Sequence, residues 1–401
     1  MSNKKSTGSY LQGVSSLIVD ATLGITDLTE TMHKRIVHPP FLPSTPIQNA
    51  ITNIAGFTFK NIKWSTKLIG KGLNNVLVKL TPFLGELKTS DKKEAILSVL
   101  NGVIGDYLVE KRNPLQIKME FRHLAKPIII NPKSLVDTYP KINGKILLMV
   151  HGSCMNDIQW TQKKHNHGTS ISKGLHKTPV YLNYNSGLHV SQNGKELNLL
   201  LEKLVLQWPV PVEEINIVSH SMGGLVSRSA LYYGLQQKKT WTAHIKKIVF
   251  LGTPHHGAPL ERIGNYIDVI LEAIPYAKPF ARLGKIRSAG VTDLRYGNLV
   301  DEDWLNKDRF KLQRDKRQNI PLPKNVECYS IAGSVGREAN SLSTKIMGDN
   351  MVEVKSALGI HKKPSKNLNF KKENTFIVYE NTHVDLLSNS KIDLKLKEWL
   401  V

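Results

Sequence analysis

The order of apolar and polar residues divides the chain into two stretches with different periods. From about residue 9 to 112 the period is helical. Leu11, Val14, Ile18, Ala21, Ile25, Leu28 and Met32 recur at steps of three and four, which sets them along one helix face. His38-Pro39-Pro40 ends that run, because proline lacks the amide donor and disfavours a helical residue before it. A second helical stretch, residues 47–80, sets Lys60, Lys63, Lys67 and Lys71 on one face and Ile62, Ile69, Leu73, Val76 and Leu80 on another. Such a segment suits a membrane interface or packing on the protein's own core with lysines in water. Gly56, Gly70 and Gly72 weaken it as a continuous helix. Residues 1–115 are expected to form an N-terminal helical extension.

After Asn113-Pro114 short β-rich runs alternate with helical ones. The runs are IKMEFRH from Ile117, KPIII from Lys126, KILLMVHG from Lys145, TPVYLNY from Thr178, INIVSH from Ile215, IKKIVFLG from Ile245, VECYSIAG from Val326 and NTFIVYE from Asn374. Between them lie helical patterns such as Leu197, Leu200, Leu201 and Leu204, at i, i+3, i+4 and i+7. This order predicts an α/β domain over 116–401 with a mostly parallel sheet of about eight strands. Residues 258–325 break the alternation. They carry too few β signals for a strand and too many residues for a simple crossover, and read as a largely helical cap inserted over the sheet's C-terminal edge.

Composition narrows the picture. With 401 residues, 40% of them hydrophobic, the chain has ample material for one large core plus an accessory segment. Cys154 and Cys328 are too few for a disulfide framework or a four-thiolate metal site, and two independent buried thiols are expected. The N-terminal MSNKKSTGSYLQGVSS is not followed by an apolar signal core, and no run approaches the roughly 18 apolar residues of a spanning helix. A cytoplasmic protein, with contact at a membrane surface where charge allows, is the expectation. The formal charge is +22, of which +7 falls on residues 1–124 and +15 on the rest. Such a surface favours anionic partners. Without a basic-aromatic or helix-turn-helix pattern, nucleic acid is the less favoured of them. Oligomeric state has no signal in the sequence.

The chemistry centres on INIVSHSMGGLVSRS. A buried strand, Ile215 to Val218, runs into Ser219-His220-Ser221-Met222-Gly223-Gly224 and then into a helical pattern. Small residues two before and two after Ser221 let strand and helix approach closely while the backbone turns sharply, the context of a nucleophile elbow. Ser219 stands where that pattern has glycine. A carbonyl attacked by Ser221 becomes an oxyanion and needs donors. The backbone amides of Ser153, after His151-Gly152 at the end of KILLMV, and of Met222 are the expected pair. His151 itself reads as a loop-structuring residue.

A neutral hydroxyl needs a base, and the base an orienting carboxylate. His383, in the loop after the last predicted strand, is the candidate base. Asp349, in the loop after VECYSIAG, is the candidate acid. Asp385 is too near His383 in sequence, and Asp293, Asp301 and Asp303 lie in the insertion and read as structural. The pair His255-His256 has no carboxylate or cysteine at ligand spacing, so pocket lining or hydrogen bonding is expected there rather than metal.

VHGS, SHSMGGLVSRS, LGTPHHGAPLE, GDNMV followed by SALG, and THVDLL together resemble the lipase-like branch of serine α/β-hydrolases, which contains GPI inositol-deacylase-like proteins and bacterial lipases and esterases. The resemblance covers roughly residues 117–401, is weak in the insertion and does not reach residues 1–112. It implies an eight-stranded α/β-hydrolase fold, a triad of Ser221, Asp349 and His383, amide donors at Ser153 and Met222, and no cofactor; from the residues, no metal site is expected. It also implies hydrolysis of carboxylic esters, often lipid esters. Two other readings stay open: an acyltransferase using the same triad, and an inactive scaffold that binds anionic membrane surfaces.

Overall fold

The computed structural model describes residues 91–401 apart from residue 111 and residues 260–286, 310–314 and 339–347. The helical patterns of residues 11–32 and 47–80 lie outside the described residues, as does much of the 258–325 segment. The sheet belongs to one compact unit, Asp91–Lys111 with Gln116–Val401.

Eight strands form one sheet: β1 Glu120–His123, β2 Lys126–Pro127, β3 Lys145–Val150, β4 Thr178–Asn183, β5 Glu214–His220, β6 Ile245–Leu251, β7 Glu327–Gly333 and β8 Thr375–Val378. Each lies within one of the eight β-rich runs, except that β5 begins one residue before its run, at Glu214. Their order is β2-β1-β4-β3-β5-β6-β7-β8. β1 pairs antiparallel with β2 and β4, and every pair from β4 to β8 is parallel.

Parallel strands buried on both faces must be apolar at nearly every position. In β3 all five residues after Lys145 are buried, and in β5 all six after Glu214. Successive side chains alternate between faces. Leu147, Met149, Val218, Val249, Leu251, Tyr329 and Ile331 share one core cluster with Ile171 of α2 (His167–Leu175) and with Ile392, Leu396, Trp399 and Leu400 of α5 (Ser390–Leu400). Trp399 stacks on Tyr329 with ring centroids 4.7 Å apart. The unit also contains α1 (Asp91–Glu110), α3 (Val190–Leu206) and α4 (Met222–Gln236), and α3 packs along α4. That packing is close because the missing side chain of Gly194 makes room for Ser229.

The register aligns the strand ends. Val150 pairs with Ser219, His220 with Leu251, Leu251 with Ile331, and Gly333 with Val378. The carboxyl ends of β3, β5, β6, β7 and β8 therefore open on one edge, where ligands bind in open parallel sheets. Within the 258–325 segment, the described parts include a short helix, Ala289–Asp293, and a 3-10 turn, Asp301–Asp303. Both cysteines are buried and unbridged.

Candidate active site

Ser221 stands between the last residue of β5 and the first of α4, with φ of 52° and ψ of −125°. A positive φ is unfavourable for a residue with a Cβ, and the turn is held by its neighbours. The Ser221 amide donates to the Leu251 carbonyl at 2.8 Å, and the Gly224 amide to the Ser221 carbonyl at 3.0 Å. Glycine is required twice after it. A Cβ on Gly223 would lie 2.5 Å from the carbonyl oxygens of Val150 and His151, and one on Gly224 would lie 2.0 Å from Thr253 Oγ1. The strand-to-helix turn is thus pressed against the ends of β3 and β6. Ser221 Oγ is buried and has no hydrogen-bond partner among the described residues.

The loop after β3 lies directly against this turn. A Cβ on Gly152 would be 3.0 Å from Ser221 Cβ. Met222 is the first residue of α4, so its amide belongs to a turn whose N–H groups have no carbonyl within the helix. Ser153, buried, follows Gly152. His151 is spent on structure. Its Nδ1 donates to the Gly152 carbonyl at 2.8 Å, its Nε2 accepts from the Tyr184 amide at 3.3 Å, and its ring stacks on Tyr184. Burial lowers its pKa to about 3, so it is a neutral hydrogen-bonding spacer.

Asp349 and His383 are brought together from loops 34 residues apart, with Asp349 Oδ2 and His383 Nδ1 2.7 Å from each other. The carboxylate is immobilised: its Oδ1 accepts from the amides of Met351 and Val352 at 3.1 and 2.8 Å. The two backbones are tied as well, the His383 amide donating to the Asp349 carbonyl at 3.0 Å. Two glycines make the seat. At Gly252, with φ of 58°, a Cβ would meet His383 Cε1 at 3.0 Å and Asp349 Oδ2 at 3.2 Å, and at Gly333 it would meet Asp349 Cβ at 2.9 Å. Gly252 directly follows Leu251, whose carbonyl holds the Ser221 amide. The ring of His383 therefore lies over the residue next to the one that anchors the Ser221 amide.

His220, to which sequence reasoning gave no role, links the two halves. It precedes Ser221, its Nε2 donates to the His383 carbonyl at 3.1 Å, and the two rings lie 4.7 Å apart. Burial, then the neighbouring His383, push its pKa well below the usual range, so it serves as a neutral donor. Its signal in sequence was slight: a histidine inside the nucleophile motif, before a residue that must be tightly held.

The other acids are engaged elsewhere. Asp293 accepts from His189 Nδ1 and the Val190 amide, Asp303 from the amides of Leu299, Val300 and Gln318, and Asp385 from Thr382 and Lys163. His255 and His256 turn to different partners. Arg228 lies 3.2 Å from the Nδ1 of His255, and Arg317 lies 2.6 Å from that of His256. Two guanidinium neighbours oppose a further cation there, and burial holds His256 at about 4.

The match to a family model agrees with an α/β architecture. Residues 141–335, from just before β3 to just past β7, match the PGAP1-like alpha/beta domain family. The match includes Ser221 and the loop after β3 and stops short of Asp349 and His383. A mature lipase of Bacillus licheniformis is 16% identical over 71% of this chain and 98% of its own, with a TM-score of 0.43. An esterase of Pyrococcus furiosus is 14% identical over 65% of this chain and 82% of its own, with a TM-score of 0.36. A hyperthermophilic esterase of Pyrobaculum calidifontis is 10% identical over 78% and 90%, with a TM-score of 0.37. No curated protein matches the chain. Residues 141–335 thus match a PGAP1-like alpha/beta domain, and they supply β3 to β7 of the mostly parallel eight-stranded sheet.

Proposed function

We propose that the protein hydrolyses carboxylic esters through an acyl-enzyme on Ser221, with lipid esters as its substrate class. The observation that carries this reading is the convergence of a strained, positive-φ Ser221 and a buried Asp349–His383 pair on one edge of the sheet. In the proposed cycle His383 Nε2 takes the Ser221 proton as Oγ attacks the acyl carbon, while the Nδ1 proton stays on the ring, donated in a hydrogen bond to Asp349. The oxyanion is received by the amides of Ser153 and Met222. His383 then protonates the leaving alcohol. Water, deprotonated by His383, releases the acid and restores Ser221. In unliganded sites the hydroxyl–base contact commonly tightens only in the reacting complex. The lipid assignment rests on the family resemblance and on the +22 charge, which suits a phosphate-bearing surface.

The test is labelling and turnover. A fluorophosphonate is expected to label the parent protein and not Ser221→Ala, and the variant is expected to lose p-nitrophenyl ester turnover by at least about a thousandfold. Unchanged turnover in Ser221→Ala would sink the reading. A panel of short esters and long-chain lipid esters decides the substrate class, and a competing alcohol decides between hydrolysis and acyl transfer. Absence of labelling together with salt-sensitive co-sedimentation on anionic vesicles would favour the scaffold reading instead.

A further inference from the structure

One cluster of ligand-type side chains has no part in the ester chemistry. His165, in the turn ahead of α2, His167, the first residue of α2, and Asp393, in α5, converge on one point. His165 Nε2 and His167 Nδ1 lie 2.9 Å apart, and each is 3.3 Å from Asp393 Oδ1. Two ring nitrogens this close, against the same carboxylate oxygen, must share a proton or a cation.

Hydrogen bonds behind the cluster determine which lone pairs face inward. His167 Nε2 lies 3.0 Å from the Leu386 carbonyl, which can only accept, so Nε2 carries the proton and Nδ1 the lone pair. Asp393 Oδ2 accepts from Ser170 Oγ and Lys397 Nζ, both at 2.8 Å, and Oδ1 is turned to the histidines. A tetrahedral zinc ion with bonds of about 2.0–2.1 Å sets its ligand atoms about 3.3 Å apart. Two of the three edges here have that length and the third is somewhat shorter. A ligating histidine whose other nitrogen donates to a backbone carbonyl is the common outer arrangement of such sites.

We propose that His165 Nε2, His167 Nδ1 and Asp393 Oδ1 bind a divalent transition-metal ion, zinc in class, with solvent as the fourth ligand. The side chain of His165 is 29% exposed and that of His167 fully buried, so the ion enters from the His165 side. With the ion in place His165 keeps its proton on Nδ1. Lys397 opposes a cation, but its ammonium is engaged on the far carboxylate oxygen. The ion fastens the turn before α2 to α5. Through His167 and the Leu386 carbonyl it also reaches the segment that carries His383. Leu386 itself packs beneath that segment, where a Cβ on Gly252 would meet it at 2.7 Å. The site is a clamp behind the candidate base, apart from the reacting centre. Sequence reading passed over it because the third ligand lies 226 residues beyond His167.

The experiment uses the full chain, stripped with a chelator and dialysed against micromolar zinc chloride. Metal content is measured by mass spectrometry, and melting temperature is recorded with and without zinc. The parent is expected to hold one zinc equivalent that His165→Ala lacks, and to melt about 5 °C higher with zinc. His165→Ala, a change in a partly exposed turn, is expected to lose that shift and at least about tenfold in affinity. Asp393→Asn should do the same. His361→Ala, beside His256 and away from the cluster, should change neither. The proposal is overturned if the parent takes up no stoichiometric zinc, if His165→Ala binds as much as the parent, or if His361→Ala abolishes binding.

Discussion

At the scale of single residues, the constraint that bears most directly on the candidate base is a missing side chain. Gly252 has a positive φ and lies against His383, Asp349 and Leu386 at once. Alanine there would strain the backbone by about 1–2 kcal/mol and push the His383 imidazole away from Ser221. Misplacement of a reacting group by about 1 Å can cost about a hundredfold in rate. Gly252→Ala is therefore expected to lower kcat on a p-nitrophenyl ester about a hundredfold while the melting temperature falls only a few degrees. Equal loss of folded protein and of activity would show that the glycine serves the fold alone. The residue could be noticed in sequence, as the end of IKKIVFLG, but the chemistry above it could not. Only folding brings His383 over a residue more than a hundred positions earlier.

At the scale of elements, what could be read in the sequence follows from burial. The eight strands were legible because a parallel strand covered on both faces must be apolar along its length, as in β3 and β5. Asp349 and His383 were legible as candidates because each follows a strand end, and the structure sets them 2.7 Å apart. Helix α5 was less visible. Its sequence, SKIDLKLKEWL, has a polar face of lysines, and only Ile392, Leu396, Trp399 and Leu400 complete the core. Those few residues close one face of the sheet behind the His383 segment. Leu396 is fully buried, so Leu396→Ala is expected to cost about 2–5 kcal/mol of stability by opening a cavity under β7 and the His383 segment. Urea unfolding monitored by circular dichroism measures it. A cost below about 1 kcal/mol would mean that α5 is dispensable to the core. The long-range groupings within the chain, His220 with His383 and His165 and His167 with Asp393, left no mark in the sequence because hydrogen bonds between distant segments impose no period.

For the molecule as a whole, the buried histidines set an acid limit. His151, His220 and His255 are neutral in the folded protein because burial opposes their charge. Unfolded, each binds a proton near pH 6.5, while folded His151 does so only near about 3. The unfolded state thus takes up more protons across that window. Stability is full above about pH 6.5 and falls as the pH is lowered toward 3, by up to about 1.4 kcal/mol per pH unit for each such group. Urea midpoints are expected to drop steadily from pH 7.5 to pH 4.5, and a flat profile would contradict the neutral assignment. The +22 charge acts in the same direction, since added protons raise the self-repulsion of a basic chain. Among the described residues no helix is long and apolar enough to cross a membrane.

The left-handed turn at Ser221 has a consequence for how this sequence could drift. Glycine would occupy that φ without strain, so Ser221→Gly is expected to relieve the backbone of this turn. A lineage that kept the chain only as a scaffold would gain by that exchange and lose nothing. A serine held in that conformation is one for which folding offers no motive, and its hydroxyl is what the exchange would forfeit.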